Sequence, residues 1–276
     1  MRHTALALLV VAAFAHAGWN LLAKRADAAG TPFVWAFAVV GATLWAPLGL
    51  GALLFGADRL DAGAIRLVGV SGALHAAYFV ALQRGYRDGD LSLIYPLARA
   101  LGPLLAVPVA FLALGQRSGP FDIIGGLLIV AAVASLAGRP PPGDRPTLVY
   151  AGLTGVCIAA YTVWDAFAIT SLSIAPVTYF WAAEVTRALL LTPVALRRPG
   201  RTADILRGRA HLIIGVAVLS PLAYVLVLQA LRLAPVSVVA PAREMSIVLG
   251  LSWARTCWAN PVGGGESSRP SWSCSE

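Results

Sequence analysis

YFVALQRGYRDGDLSLIYPLARALGPL, residues 78 to 104, returns in altered form as YVLVLQALRLAPVSVVAPAREMSIV at residues 224 to 248. In each copy a Tyr stands five residues before a Gln, a short turn follows, and a new apolar run carries a Pro with an Arg just behind it. The sets are Tyr78, Gln83, Pro96 and Arg99, and Tyr224, Gln229, Pro241 and Arg243. The register slips by one residue in the turn and by one more between Pro and Arg, as divergence from a common unit would leave it. A chain that repeats itself is parsed by its repeats first. The Arg inside each apolar run is the informative feature. At the centre of a bilayer it costs about 2.5–3.5 kcal/mol, so it is expected to face a cavity or a partner. The Pro beside it frees a backbone carbonyl, which membrane helices tolerate where the irregularity lines a polar space.

The 276 residues are 58% hydrophobic and only 12% charged, with a mean hydropathy of +0.76. That excludes an ordinary soluble domain. The apolar runs are each near the roughly 20 residues that span a bilayer, which predicts an all-α, polytopic membrane protein. The net charge of +8 sits mostly in short connectors, where Arg sets topology, and no basic stripe with interleaved aromatics points to nucleic acid. Cys157, Cys257 and Cys274 have neither metal-ligand spacing nor an obvious disulfide pattern, so no metal or other cofactor is expected. Ala15-His16-Ala17 has the shape of a signal-peptide cleavage site. Trp19-Asn20 just beyond it has a counterpart in Trp164-Asp165, however, which assigns this segment to the fold.

The expected spans begin with residues 4 to 23, where His16, Trp19 and Asn20 share one face, and continue with 32 to 55. The third, 64 to 83, carries Ser71, His75 and Tyr78 as a second polar stripe, and the turn RGYRDGD leads to a fourth with Tyr95, Arg99, Pro96, Pro103 and Pro108. The fifth, 121 to 137, has the small-residue spacing that lets membrane helices approach closely. GRPPPGDRP, residues 138 to 146, is the plainest linker. The sixth, 147 to 169, repeats the first span's polar spacing as Tyr161, Trp164 and Asp165. The seventh, 176 to 196, holds Glu184 and Arg187 at a spacing that lets them pair; an Arg-rich connector, 197 to 209, precedes the eighth, 211 to 231, and a ninth follows RLAP.

This divides the chain into a first repeat (1–138), a linker (139–146), a second repeat (147–254) and a tail (255–276). Two odd-length units of five helices insert with opposite orientation, and the interface of such inverted repeats is the usual site of transport. After Gly250 the sequence turns to LSWARTCWANPVGGGESSRPSWSCSE, rich in Ser, Gly and Trp, so the tenth helix is expected to be missing, replaced by an aberrant tail. The cationic connectors, Lys24, Arg25, Arg84, Arg87 and the five Arg of 197 to 209 among them, place the amino terminus outside by the positive-inside rule.

AHAGWNLLAK near the start, SLIYPLAR and SVVAPAREMS, and LGQRSGPFDIIGGLLIVAAV together resemble the EamA-type branch of the drug/metabolite transporter superfamily. The resemblance covers residues 1 to about 250. It implies ten helices in two inverted five-helix repeats, a central cavity formed by helices 1, 3, 4, 6, 8 and 9, export or exchange of small metabolites across the cell inner membrane, and cytoplasmic termini. The last point contradicts the charge distribution. Gln116 stands where that family usually has Glu.

The candidate substrate-binding residues are His16, Trp19, Asn20, His75, Tyr78, Tyr95, Arg99, Tyr161, Trp164, Asp165, Tyr224 and Arg243. Each has a plainer reading. The neutral polar groups suit interhelical hydrogen bonds, each worth about 1 kcal/mol or less in a membrane, and the tryptophans suit packing. Asp165 has to be paired or protonated if buried, which suits proton coupling or a substrate amine. Arg99 and Arg243 suit a clamp on a carboxylate or phosphate; alternatively Arg243 pairs with Glu244 or Asp165, and Arg99 with a carbonyl or a lipid. The expected function is a secondary transporter of small polar or amphipathic metabolites working by alternating access, with the solute, the lipid bilayer and a second copy as partners. A truncated, non-transporting remnant or interaction subunit is the alternative. An embedded enzyme needs a convergent set such as HExxH or paired intramembrane Asp, and the sequence has neither.

Overall fold

In lipid every backbone N–H and C=O has to be satisfied within its own segment, so apolar runs of this length fold as helices. The computed structural model describes residues 2–26, 29–56, 58–88, 91–116, 119–136, 144–172, 174–247 and 249, and among them there is no strand. In chain order the helices are α1 (Arg2–Arg25), α2 (Thr31–Phe55), α3 (Ala62–Asp88), α4 (Leu91–Leu114), α5 (Pro120–Leu136), α6 (Arg145–Ser171), α7 (Pro176–Leu196), α8 (Pro199–Gly208), α9 (Ala210–Leu231) and α10 (Val236–Arg243). Six of them, α1, α2, α3, α4, α6 and α9, are long and apolar enough to cross a bilayer. The chain is therefore an all-α, multi-pass membrane bundle.

Its polarity is inverted relative to a soluble protein. Leu54, Leu112 and Leu128 are 72%, 80% and 66% exposed, whereas Arg99, Asp165, Arg187 and Arg243 are at most 1% exposed. An apolar surface of that extent suits lipid and not water.

The parts of the chain before and after the linker interleave. α1 packs along α9, α6 against both α3 and α4, and α2 along α7; α3 also meets α7, α2 meets α9, and α10 lies against α4 and α5. Two indoles tie the α2–α7 seam from opposite sides: Trp35 Nε1 donates to Thr192 Oγ1 at 3.0 Å, and Trp181 Nε1 donates to the Ala42 carbonyl at 2.9 Å. Both tryptophans serve the packing of this seam.

Several boundaries differ from those read in the sequence. The first five residues of the expected turn at 84 to 90 belong to the end of α3, which runs on to Asp88. Gly85 is there for clearance: a Cβ on it would lie 3.1 Å from Tyr150 Cβ of α6. The Arg-rich connector is also not a loop. It forms the short helix α8, which turns Thr202 and Ile205 inward, and the Thr202 hydroxyl donates to the Ala195 carbonyl at 2.8 Å. Asp144 caps α6, its carboxylate accepting the Thr147 N–H at 3.3 Å, and Arg145 and Pro146 of the linker open that helix, while residues 137–143 and the tail 255–276 lie outside the described residues. Gln116 reaches the start of α10, where its Oε1 accepts the Val236 N–H at 2.9 Å.

Helix contact depends on small residues at the crossings. At the α4–α6 crossing a Cβ on Gly155 would stand 2.6 Å from Leu101 Cβ and 3.2 Å from the Ala98 carbonyl oxygen, whereas one on Gly152 would meet nothing within 4 Å. Gly155→Leu is expected to destabilise the bundle by about 1–3 kcal/mol through overpacking, and Gly152→Leu to leave it unchanged. Thermal unfolding of the two purified variants in detergent checks this; equal midpoints would contradict the crossing.

Candidate functional site

The polar centre starts from one acid. Asp165 in α6 is fully buried, and a carboxylate there has to be compensated by donors. Three other helices supply them. Tyr179 of α7 donates its hydroxyl to Oδ1 at 2.8 Å, Tyr224 of α9 donates to Oδ2 at 2.7 Å, and His75 of α3 lies with Nε2 3.0 Å from Oδ2. With Asp165 ionised, that contact requires the proton on Nε2. The His75 ring is in turn held by Tyr161, one helical turn before Asp165, stacked at 4.3 Å with planes 22° apart.

A second cluster lies on α4 and the end of α10. Glu244 is shared between two guanidinium groups: Arg99 Nε is 2.9 Å from its Oε2 and Arg243 Nε is 3.3 Å from its Oε1. The Arg99 contact is an ion pair by distance but is not aligned as a hydrogen bond, so Arg99 Nε and Glu244 Oε2 both count as buried atoms without a hydrogen-bond partner. Arg99 Nη2 donates to Ser246 Oγ at 2.9 Å, and Arg243 Nη1 donates to Thr162 Oγ1 at 3.4 Å. The Arg243 guanidinium also lies 5.7 Å from the Tyr161 ring centroid, which joins this cluster to the first. A third pair, Glu184 and Arg187 at 2.5 Å, stays within α7 as its spacing allows, with Arg187 beside the rings of Phe37 and Phe79.

Between the first two clusters is a narrow cavity of about 20 Å³, room for one water molecule. Of the residues singled out in the sequence, His16, Trp19, His75, Tyr78, Arg99, Tyr161 and Tyr224 line it, and Phe79, Phe180 and Ser220 complete the wall. Asp165 and Arg243 stand behind that wall, reached through Tyr224 and His75 in one case and Tyr161 in the other. Tyr95 flanks Arg99, whose guanidinium is 5.6 Å from its ring centroid. Asn20 turns back on its own helix and donates to the His16 carbonyl at 2.7 Å. Trp164 is elsewhere: its Nε1 donates to the Leu67 carbonyl at 2.9 Å, and it lines an apolar groove between α4 and α6.

Two contributors escaped the sequence reading. Tyr179 sits in the apolar start of α7 with no polar neighbour at helical spacing to mark it. Glu244 was legible only as a neighbour of Arg243, and nothing in the spacing shows that Arg99, 145 residues earlier, shares it. Among the described residues no three His, Cys, Asp or Glu side chains converge on a point where a metal ion would sit.

No family model and no curated protein matches the chain. A solved structure, described only as the crystal structure of a protein, shares its fold with a TM-score of 0.64, over 94% of this chain and 92% of that one, at 16% identity. At that identity the likeness shows the fold alone.

Asp165→Leu removes the acceptor for three buried donors, each costing about 1–3 kcal/mol when left unsatisfied. It is expected to lower the unfolding midpoint more than Asp165→Asn, which keeps one acceptor oxygen. In the Asp165→Leu background, Tyr179→Phe should then restore stability and not reduce it further. A double-mutant cycle in detergent measures this, and additive losses would break the network reading.

Proposed function

We propose that this chain is a secondary carrier, an EamA-like exporter or exchanger of small metabolites in a cell inner membrane, and that its solute path runs through the cavity between Asp165 and Arg99. The observation that carries this reading is the convergence of buried ionisable groups from α3, α4, α6 and α10 around an empty space inside an apolar bundle. Such groups are costly in a membrane and characteristically line substrate or ion pathways.

The helix contacts support a duplicated origin. Exchanging α1 with α6, α2 with α7, α3 with α9 and α4 with α10 turns the α1–α9 contact into α6–α3, α3–α7 into α9–α2, and α4–α6 into α10–α1, while α2–α7 maps onto itself. An inverted duplication gives this pattern, and alternating access then rocks one repeat against the other around a fixed site. Asp165, held by Tyr179, Tyr224 and His75, is the group proposed to carry a coupling proton.

Counterflow of labelled small metabolites into proteoliposomes, with and without a proton gradient, tests the reading. Flux is expected for the unmodified protein. Asp165→Asn should lower gradient-driven flux by about tenfold or more, as loss of an essential proton-transfer group does, while exchange without a gradient is kept. Absence of counterflow for every solute class, anionic, cationic and neutral, would reject the carrier.

A further inference from the structure

Five exposed arginines, Arg84, Arg145, Arg197, Arg198 and Arg207, have no side-chain partner among the described residues. The helix contacts gather them at one end of the bundle. α2 runs antiparallel to α7, with Trp35 near its start bonded to Thr192 near the end of α7, and α8 packs on α2, α7 and α9 there. The Arg209 guanidinium, just after α8, reaches the Ala26 carbonyl at the end of α1. α3 starts where α7 starts, because Asp58 just before it accepts the Ala175 N–H at 3.0 Å and the Thr178 hydroxyl at 2.5 Å. The last turns of α3, with Arg84, therefore come to the α8 end, and so does the start of α6, where Tyr150 faces Gly85. Lys24, Arg25, Arg87, Arg201 and Arg209 belong to the same end, and its acids Asp88, Asp144 and Asp204 leave it strongly positive. Among the described side chains of the opposite end, Arg59, Arg66 and Arg232 are matched by Asp58, Asp61 and Asp122.

α8 itself is suited to a boundary. It has 10 residues, too few and too polar to cross a bilayer; Thr202 and Ile205 turn into the bundle, Arg207 stays on the outer side, and Arg197 and Arg198 stand at its head. A helix with one side packed and arginines on the other lies along the headgroup region. We propose that the α8 end binds the headgroups of anionic phospholipids, with Arg197, Arg198 and Arg207 at the centre of that surface. Its position, level with the ends of the membrane spans, puts headgroup phosphates within reach, and the guanidinium fork matches a phosphate. A pure topology signal differs in one respect: it acts during insertion and gives the folded protein no preference among headgroups. The surface does not depend on the carrier reading, since a chain that moves no solute would have it too.

Native mass spectrometry of the full chain in a neutral detergent, titrated with phosphatidylglycerol or with phosphatidylcholine of the same acyl chains, tests this. Phosphatidylglycerol is expected to bind about tenfold tighter or more, each Arg beside an anionic surface adding roughly fivefold. Arg197→Gln, Arg198→Gln and Arg207→Gln together should abolish the preference, whereas Lys at the same positions should keep most of it. Arg59→Gln, Arg66→Gln and Arg232→Gln at the opposite end should leave it unchanged. Equal binding of the two lipids by the unmodified protein overturns the proposal. So does a preference that survives the α8 variant, or one that the opposite-end variant lowers as much. Excess soluble glycerol phosphate should not compete; full competition marks a site for free phosphate and overturns the membrane surface. If the α8 variant does not fold, the unmodified protein decides by its salt dependence. The preference should shrink as ionic strength screens the exposed charges, and a preference indifferent to salt overturns the proposal.

Discussion

The cost of holding a carboxylate away from water is the constraint that organises this bundle. Asp165 is tolerable in α6 only because α3, α7 and α9 each bring one donor to it. Those three helices come from both sides of the linker, so the acid cannot be satisfied until the two parts of the chain have interleaved. Satisfying a single group thus sets a requirement on the arrangement of four helices, and apolar packing against lipid, which is nearly indifferent to register, sets no such requirement.

The second ionic cluster has a different logic. Replacing a buried ion pair with well-packed apolar side chains is often neutral or stabilising. Arg99, Glu244 and Arg243 are therefore poor candidates for devices of stability alone, and their misaligned contacts and partnerless nitrogens agree with that. Glu184 and Arg187 also leave Glu184 Oε1 and Arg187 Nε without a partner, but they lie one helical turn apart on the same helix, 2.5 Å from each other. Local pairs of that kind can be set before tertiary assembly, whereas the Arg99–Glu244 contact exists only once α4 and α10 meet.

Much of the outline was legible because lipid leaves so few options. Long runs without charge had to be helices, and polar residues recurring at helical spacing, such as His75 with Tyr78 and Tyr161 with Asp165, had to turn inward. Where the reading slipped, a local rule was overridden by packing. Gly85 within RGYRDGD has the composition of a turn, yet it serves as clearance for Tyr150 in a helix that continues. The connector after α7 is Arg-rich and polar, yet Thr202 and Ile205 give it an inward face and it winds into α8. Trp164 shares its spacing with Trp19 but faces a lipid-side groove, because an indole can satisfy its one donor on a neighbouring backbone carbonyl as well as in a cavity.

By itself the sequence determined that the chain is helical, that it belongs in a membrane, and which stripes of its helices are polar, since each of these follows from local composition and a period of 3.6 residues. Only the tertiary structure decided which stripes share a space. Tyr179 became a ligand of Asp165, and Glu244 a bridge between two arginines, through distances set by helices far apart in the chain. Side-chain periodicity says which way a residue points from its own axis; it carries no information about which other axis lies opposite.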